Sequence, residues 1–134
     1  MQPHGYFKYP VHIPSVAVQN TVRDVPLIFA STLFGETIDV YEIGVVASTL
    51  PAGGTITADL ESVDDDETKA DLVAGTVLET LDTDTYVPIL TTKTRLNPGQ
   101  GLNIEITTSD DAVTTAGNLT VFITARIAER SGDV

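Results

Sequence analysis

The sequence predicts an all-β protein, an antiparallel, jelly-roll-like β-sandwich of about eight strands. The clearest signal lies near the C-terminus, where apolar and polar residues alternate from Leu102 to Thr107 and again from Leu119 to Ile127. Only a strand points successive side chains to opposite faces in this way. The composition agrees, because hydrophobic residues make up 42% of the chain and aromatic residues only 6%, as in cores built from branched side chains. We expect these two stretches to form a half-buried antiparallel sheet.

Length and proline content divide the chain into one sandwich domain with an extension at each end. A chain of 134 residues is long enough to bury a single core without disulfides. Prolines at positions 3, 10 and 14 exclude a regular helix or a central strand at the beginning. We therefore predict an extended N-terminal arm at residues 1–15, the sandwich at residues 16–130 and a polar tail at residues 131–134.

The arm contains three of the chain's eight aromatic residues, namely Tyr6, Phe7 and Tyr9. Aromatic side chains exposed on a loose terminus are unfavourable, so we expect them to be buried against a surface. Two alternatives remain open from the sequence. The arm folds back over its own sandwich and covers an open end, or it reaches a neighbouring subunit as a set of anchors.

The first half of the sandwich contains runs of branched apolar residues bounded by turn residues. Pro26 indicates an edge position, because proline lacks a donor for the strand ladder. The parity of the apolar residues changes between Val40 and Tyr41, which indicates a β-bulge or a strand that crosses between sheets. The predicted strands of this half are residues 16–18, 22–30 and 37–48, and a stretch that begins at Ile56.

The acidic run at residues 64–67 precedes apolar residues at helical spacing, Val73, Val77 and Leu81. Acidic residues favour the N-terminus of a helix, whereas Gly75 opposes a long one. We therefore predict a short helical turn at residues 67–74, followed by a strand.

One further strand is predicted at residues 86–96, with Pro88 again indicating an edge. The sequence Asn97-Pro98-Gly99-Gln100 then places proline and glycine at the two central positions of a type II turn. We expect this turn to close a hairpin.

The charge and the residue types exclude several functional classes. A net charge of −12 opposes binding to nucleic acids and to anionic membranes. The absence of cysteine removes disulfides, thiolate metal sites and cysteine nucleophiles. Neither a signal peptide nor a transmembrane segment is indicated, so we expect a soluble protein. No nucleophile and base are spaced for catalysis, so we expect neither enzymatic activity nor a cofactor.

Carboxylates and cations offer a few candidate sites. Residues 64–67 supply oxygen ligands for a cation, but without the spacing of a known calcium loop, and we expect a solvated loop. Glu42, Glu61 and Glu105 lie at strand positions and are candidates for the paired carboxylates of a glycoside hydrolase. The chain has no tryptophan to bind the sugar beside them, so we do not expect this activity. Lys93 and Arg95 lie two residues apart; they either pair with a partner's carboxylates or balance acids in their own sheet.

The stretches at residues 96–106 and 114–121, Leu-Asn-Pro-Gly-Gln-Gly-Leu-Asn-Ile-Glu-Ile and Thr-Thr-Ala-Gly-Asn-Leu-Thr-Val, resemble the closing hairpin of virion proteins from tailed viruses. Within that group the chain is similar to head decoration, or cement, proteins of bacteriophages. The resemblance implies a homo-oligomer, commonly a trimer, on the outer surface of the virion, where it clamps the subunits of the major capsid protein. It implies no catalytic residue.

The predicted function is therefore structural, with Tyr6, Phe7, Tyr9, Lys93 and Arg95 as candidate partner-binding residues. The alternative is a non-catalytic carbohydrate- or receptor-binding β-sandwich module. Such a module needs exposed aromatic residues on a sheet face, and the sequence offers only Tyr41 and Tyr86 for that role.

Overall fold

In a computed structural model, the protein is described over residues 5–13, 22–47, 56–77, 86–108 and 119–129. These residues form nine β-strands, one more than expected. This part of the chain contains no helix long and apolar enough to cross a membrane. In chain order the strands are β1 (Tyr6–Ile13), β2 (Val22–Phe29), β3 (Thr37–Ala47), β4 (Ile56–Val63), β5 (Lys69–Val77), β6 (Tyr86–Leu90), β7 (Thr94–Leu96), β8 (Gly101–Thr108) and β9 (Leu119–Glu129).

The strands form two antiparallel sheets packed as a sandwich, which confirms the predicted fold class. The first sheet has the order β1-β9-β3-β6, with β7 also paired to β3, and the second has the order β2-β8-β4-β5. Strands from the two halves of the chain pair in a nested series: β1 with β9, β2 with β8, β3 with β6 and β7, and β4 with β5. This nesting is the topology of a jelly roll.

The hydrophobic core lies between the two sheets and consists of the apolar side chains on the inward face of each strand. In β8 and β9 these are the alternating apolar residues seen in the sequence, and they are buried. The largest fully buried side chains are Ile13, Val40, Ile43, Ile56, Leu60, Leu102, Ile104, Ile106, Leu119 and Ile123.

The turn at residues 97–100 forms as predicted, but it does not close a hairpin. The amide of Gln100 donates to the carbonyl of Asn97 at 2.9 Å, and Gly99 has φ of 88°. The turn nevertheless joins β7 of the first sheet to β8 of the second. Likewise β8 and β9, expected to pair, lie in opposite sheets. Alternation indicates that a segment is a strand and which face is apolar, but it does not specify the neighbouring strand.

The parity change in β3 is a β-bulge, as predicted. Val40 lies opposite Ala125 of β9 and Glu42 lies opposite Thr124, so Tyr41 is the extra residue. The bulge turns Tyr41 out of the regular alternation of its strand.

The helical turn predicted at residues 67–74 is wrong, because residues 67 and 68 end the turn after β4 and residues 69–74 belong to β5. Ala58 and Leu60 of β4 lie opposite Thr76 and Val73, so β5 has an extra residue at this point, and its register shifts again before Asp71. Two bulges in one short strand destroy the period of two. The apolar residues then fit a helical spacing by accident.

The acidic run forms the tight turn between β4 and β5. Its closing bonds run from the amide of Asp64 to the carbonyl of Thr68 at 2.8 Å and from the amide of Glu67 to the carbonyl of Asp64 at 2.9 Å. Glu67 has φ of 70°, in the left-handed region that non-glycine residues seldom occupy.

The single strand predicted at residues 86–96 is interrupted and forms both β6 and β7. Each pairs with a different part of β3, which is 11 residues long.

Four of the edge strands that the structure describes carry an interruption of the strand ladder. Pro10 lies in β1, Pro26 in β2 and Pro88 in β6, and β5 has two bulges. The short strand β7, which lies at the same edge as β6, has neither a proline nor a bulge. The predictions that Pro26 and Pro88 mark edges are confirmed. Prolines and bulges oppose the extension of a sheet by a second chain, which favours a partner at a sheet face or a loop.

Most of the predicted arm is part of the sandwich. Residues 6–13 pair with β9 along their whole length, so this segment folds onto its own domain, as in the first of the two alternatives. It adds an edge strand and does not cover an open end. The remaining arm residues, the tail at residues 131–134 and the strand predicted at residues 16–18 lie outside the described residues, and the domain boundaries stay a prediction.

Candidate interaction surface

The outer face of the first sheet collects aromatic and cationic side chains. The outward side chains of neighbouring strands lie beside one another on this face. Tyr6 and Lys8 of β1 lie opposite Arg126 and Thr124 of β9. Tyr86 of β6 lies opposite Val46 of β3. The bulged Tyr41 reaches the same surface. We call this surface the aromatic face; its residues are Tyr6, Lys8, Tyr41, Tyr86, Phe122 and Arg126.

Tyr6 and Tyr41 form the first ring pair of the aromatic face. Their centroids lie 4.8 Å apart and the rings are tilted by 52°. The guanidinium of Arg126 lies 5.7 Å from the centroid of Tyr6, within the range of a cation–π interaction. A hydrogen bond with Tyr41 and the charge of Arg126 lower the pKa of Tyr6, while the same hydrogen bond raises the pKa of Tyr41.

Tyr86 and Phe122 form the second ring pair, with centroids 6.4 Å apart and a tilt of 51°. The ammonium of Lys8 lies 5.5 Å from both centroids. The Tyr86 ring also packs over Gly44, where a Cβ on residue 44 would overlap the ring. The Tyr86 hydroxyl is buried and has no hydrogen-bond partner among the described residues. Burial, followed by the nearby charge of Glu42, raises the pKa of Tyr86 to about 12.

Lys93 and Arg95 extend the cationic surface, and both are paired within the chain. Arg95 donates to both carboxylate oxygens of Asp39, from Nε to Oδ1 at 2.8 Å and from Nη2 to Oδ2 at 3.0 Å. Lys93 Nζ lies 3.9 Å from Oδ2. The hydrogen bond from Arg95 and the adjacent cations lower the pKa of the buried Asp39. Both cations thus balance an acid of their own sheet, and their pairing with a partner's carboxylates stays a prediction.

The three aromatic residues proposed as anchors do not share a face. Tyr6 points outward, whereas Phe7 and Tyr9 are partly buried and pack against the core. Their rings stack at 5.9 Å, and the Tyr9 hydroxyl donates to the carbonyl of Leu27 at 2.7 Å. Since Tyr9 lies in β1 and Leu27 in β2, this bond joins the two sheets. Phe7 and Tyr9 therefore contribute to the packing of the fold, and Tyr6 lies on the outer face; the role of all three in binding a partner stays a prediction.

The outer face of the second sheet has the opposite charge. We call it the acidic face; its carboxylates are Asp24, Asp59, Glu61, Asp71 and Glu105. Partial burial, followed by the charges of the other four acids, raises the pKa of Glu105. One cation, Lys69, lies 3.6 Å from Asp24.

Two groups of carboxylates could hold a cation by distance alone. Oxygen atoms of Asp24, Glu61 and Glu105 lie within 4.8 Å of one another, as do those of Asp64, Asp65 and Asp66 in the turn. In the first group the amide of Asn103 already donates to Asp24 at 3.0 Å and to Glu61 at 3.1 Å. The second group is fully exposed, as expected for a solvated loop.

The loop between β2 and β3 presents a separate apolar surface. Leu33 is 82% exposed and Phe34 is 53% exposed. The loop is held by backbone bonds, from Glu36 to Ser31 at 2.9 Å and from Ala30 to Gln100 at 2.9 Å. These two side chains are therefore displayed on an ordered support.

Two residues of the aromatic face escaped the sequence analysis. Phe122 lies between the buried residues Val121 and Ile123, but it shares its face of β9 with the polar residues. Lys8 belongs to the predicted arm, and nothing in the sequence around it indicates a contact with aromatic rings. The parity of Phe122 could have been read from the sequence, whereas the position of Lys8 required the pairing of β1 with β9.

Comparison with known proteins gives no family. No family model matches the chain, and no curated protein matches its sequence. The chain is similar to a chain in the single-particle structure of maize chlorotic mottle virus, with 11% identity, a TM-score of 0.43, and coverage of 92% of this chain and 95% of that one.

Two carbohydrate-binding domains also match. The N-terminal cellulose-binding domain of β-1,4-glucanase C from Cellulomonas fimi has 11% identity and a TM-score of 0.35, covering 99% of this chain and 93% of that one. A xylan-binding domain from CBM 22 has 15% identity and a TM-score of 0.39, covering 99% and 91%. At these identities and TM-scores, none of the three likenesses carries an argument about function.

Proposed function

We propose that this chain is a structural virion protein, a capsid decoration or cement protein that self-associates and attaches to the outer face of a capsid shell. The proposal includes no catalytic step and no cofactor. The single observation that carries it is the aromatic face, where four aromatic rings lie together with the cations Lys8 and Arg126. Aromatic residues and arginine are the side chains enriched in protein contacts.

The faces of these rings favour a protein partner over a sugar. A sugar stacks on a free ring face, but Lys8 lies over the Tyr86 ring, which also packs against the backbone of Gly44. Lys8 also covers Phe122, and Arg126 covers Tyr6. A protein contact needs no free ring face, because it uses ring edges, hydroxyls and cations together.

A cement protein needs two contact surfaces, one for its own copies and one for the shell. We assign self-association to the aromatic face and attachment to Leu33 and Phe34 in the loop between β2 and β3. Since prolines or bulges interrupt four of the described edge strands and the remaining one, β7, has only three residues, faces and loops are the surfaces favoured for both contacts. The capsid location rests on the jelly-roll topology, which occurs in viral capsid domains and in lectins, and on the acidity, which opposes contact with a packaged genome.

Two double variants separate the two contacts. Lys8→Ser with Phe122→Ser should lower the native mass of the oligomer, measured by light scattering at micromolar concentration. Leu33→Ser with Phe34→Ser should leave the mass unchanged but abolish sedimentation with capsid shells purified from the source virus. Thr120→Ser on the same outer face and Thr32→Ser in the same loop are the matched controls. A wild-type chain that is monomeric and does not sediment with shells contradicts the proposal.

The second candidate function is a non-catalytic carbohydrate- or receptor-binding module. One observation favours it: four aromatic side chains share one sheet face, twice the number expected from the sequence. Retention of the wild-type chain on insoluble cellulose or xylan, lost in the Lys8→Ser, Phe122→Ser variant, would support this function. The cement proposal predicts no retention.

A further inference from the structure

The two outer faces of the sandwich differ in charge although the chain as a whole is strongly acidic. Four of the seven lysine and arginine residues lie on or reach the outer face of the first sheet: Lys8, Lys93, Arg95 and Arg126. The carboxylates described on that face are Asp39 and Glu42. The acidic face, on the other side of the sandwich, presents five carboxylates, and the cation described there is the ammonium of Lys69.

We propose that the aromatic face of one copy docks on the acidic face of a second copy. This inference rests on the proposed function and names the occupant of the surface assigned to self-association. The two faces are complementary in charge, and complementary potentials steer association and set its orientation. Docking would place lysine and arginine side chains beside carboxylates that now repel one another.

The position of Glu105 supports the acidic face as the acceptor. Glu105 lies opposite Asp59 of β4 and Asp24 of β2, so its two neighbours across the sheet are both acids. Like charges directly opposite each other in a sheet are destabilising. A cation from a second copy relieves this repulsion, which gives the contact a favourable term that the isolated chain lacks.

This contact is heterologous, because the two partners contribute different surfaces. A two-fold contact would bring the aromatic face of one copy against the same face of another, cation against cation. A heterologous contact closes into a ring or extends as an open series, depending on the rotation between copies. The two faces lie on opposite sides of the sandwich, so we infer an open stack and not the closed trimer that the resemblance implies.

Charge reversal tests the inference. Lys8→Glu with Arg126→Glu reverses the aromatic face, and Asp59→Lys with Asp71→Lys reverses the acidic face. Each variant alone should self-associate about tenfold or more weakly than the wild type in sedimentation equilibrium. An equimolar mixture of the two should recover most of the association, because each variant then offers a surface complementary to the other. Circular dichroism and thermal unfolding establish that both variants fold.

Several outcomes overturn the inference. It fails if the reversed acidic face leaves association unchanged, if the mixture of folded variants does not associate, or if the wild type forms only a closed trimer over the concentration range. Should a charge reversal prevent folding, Lys8→Gln and Asp71→Asn are to be used, and each should weaken association in the same direction. Sedimentation with capsid shells is measured in parallel. A wild-type chain that binds shells but stays monomeric refutes the stack and leaves the attachment to shells standing.

Discussion

The ring of Tyr86 in β6 lies directly over the backbone of Gly44 in β3, in the space that a side chain at residue 44 would occupy. The two residues are diagonal neighbours, since Gly44 pairs with Pro88 and Val46 pairs with Tyr86. The glycine lets the ring lie flat on the sheet, where it meets Phe122 and Lys8. One missing Cβ thus sets the orientation of half of the aromatic face.

Replacing Gly44 by alanine should therefore displace the Tyr86 ring and destabilise the fold by about 1–3 kcal/mol. The measurement is the free energy of unfolding in urea. The control is the same change in a Tyr86→Ala background, where the clash is gone and Gly44→Ala should cost much less. Equal costs in both backgrounds would show that the ring is not held over residue 44.

The contact between Asp39 and Arg95 predicts a difference between two substitutions. Arg95→Ala leaves the buried carboxylate of Asp39 with Lys93 at 3.9 Å and with the charge of Arg126 on the opposite strand, and should cost about 1–3 kcal/mol at neutral pH. Arg95→Lys should lose part of that amount, because lysine cannot form the two-pronged contact.

The pH dependence of the same contact checks its cause. The pKa of Asp39 is lowered in the folded state, so its stabilising contribution is present above the unfolded value of about 3.9 and is lost as the pH falls below it. The difference between wild type and Arg95→Ala should shrink as the pH falls through this range. A difference that is constant with pH would mean that Arg95 acts by packing alone.

The carboxylate of Glu105 should behave in the opposite way. Its pKa is raised in the folded state, so the stability that it contributes is present below its unfolded pKa and is lost as the pH rises through the folded one. Glu105→Gln should therefore stabilise the chain at neutral pH, by about 0.5 kcal/mol, and have no effect below about pH 4. Thermal unfolding at both pH values measures this, with Glu67→Gln in the exposed turn between β4 and β5 as the comparison.

The hydroxyl of Tyr9 links the two sheets through the carbonyl of Leu27. Tyr9→Phe removes this bond and should lower the free energy of unfolding by about 1 kcal/mol. Burial raises the pKa of Tyr9 to about 12, so its contribution should be lost as the pH rises from about 10, the unfolded value, through 12. The control is Tyr6→Phe on the outer face of the same strand, which should lower the free energy of unfolding less. An equal loss in the two variants would contradict a bond between the sheets through Tyr9.

The features that could be predicted from the sequence are local ones. The alternation in β8 and β9 predicted strands because successive side chains of a strand point to opposite faces, and Pro26 and Pro88 predicted edges because proline lacks the donor that a central position requires. The bulge at Tyr41 was visible as a change of parity. Each of these inferences depends on a few consecutive residues and on no distant partner.

Features that depend on a distant strand could not be predicted. The turn at Pro98 and Gly99 was predicted correctly, but the two strands that it joins were expected to pair and instead lie in different sheets. The two bulges of β5 gave its apolar residues the spacing of a helix. The aromatic face illustrates the same limit: Tyr6, Tyr41, Tyr86 and Phe122 are spread over 117 positions of the chain and meet only because β1, β3, β6 and β9 share one sheet.

By itself, then, the amino-acid sequence determined that this chain is an all-β sandwich with apolar residues on one parity and prolines at its edges. The tertiary structure alone decided which strands pair in the jelly roll, and therefore that one side of the sandwich is aromatic and cationic while the other side is acidic. The physical reason is that side-chain parity is a property of each strand, whereas the composition of a sheet face depends on which strands pair and in which register.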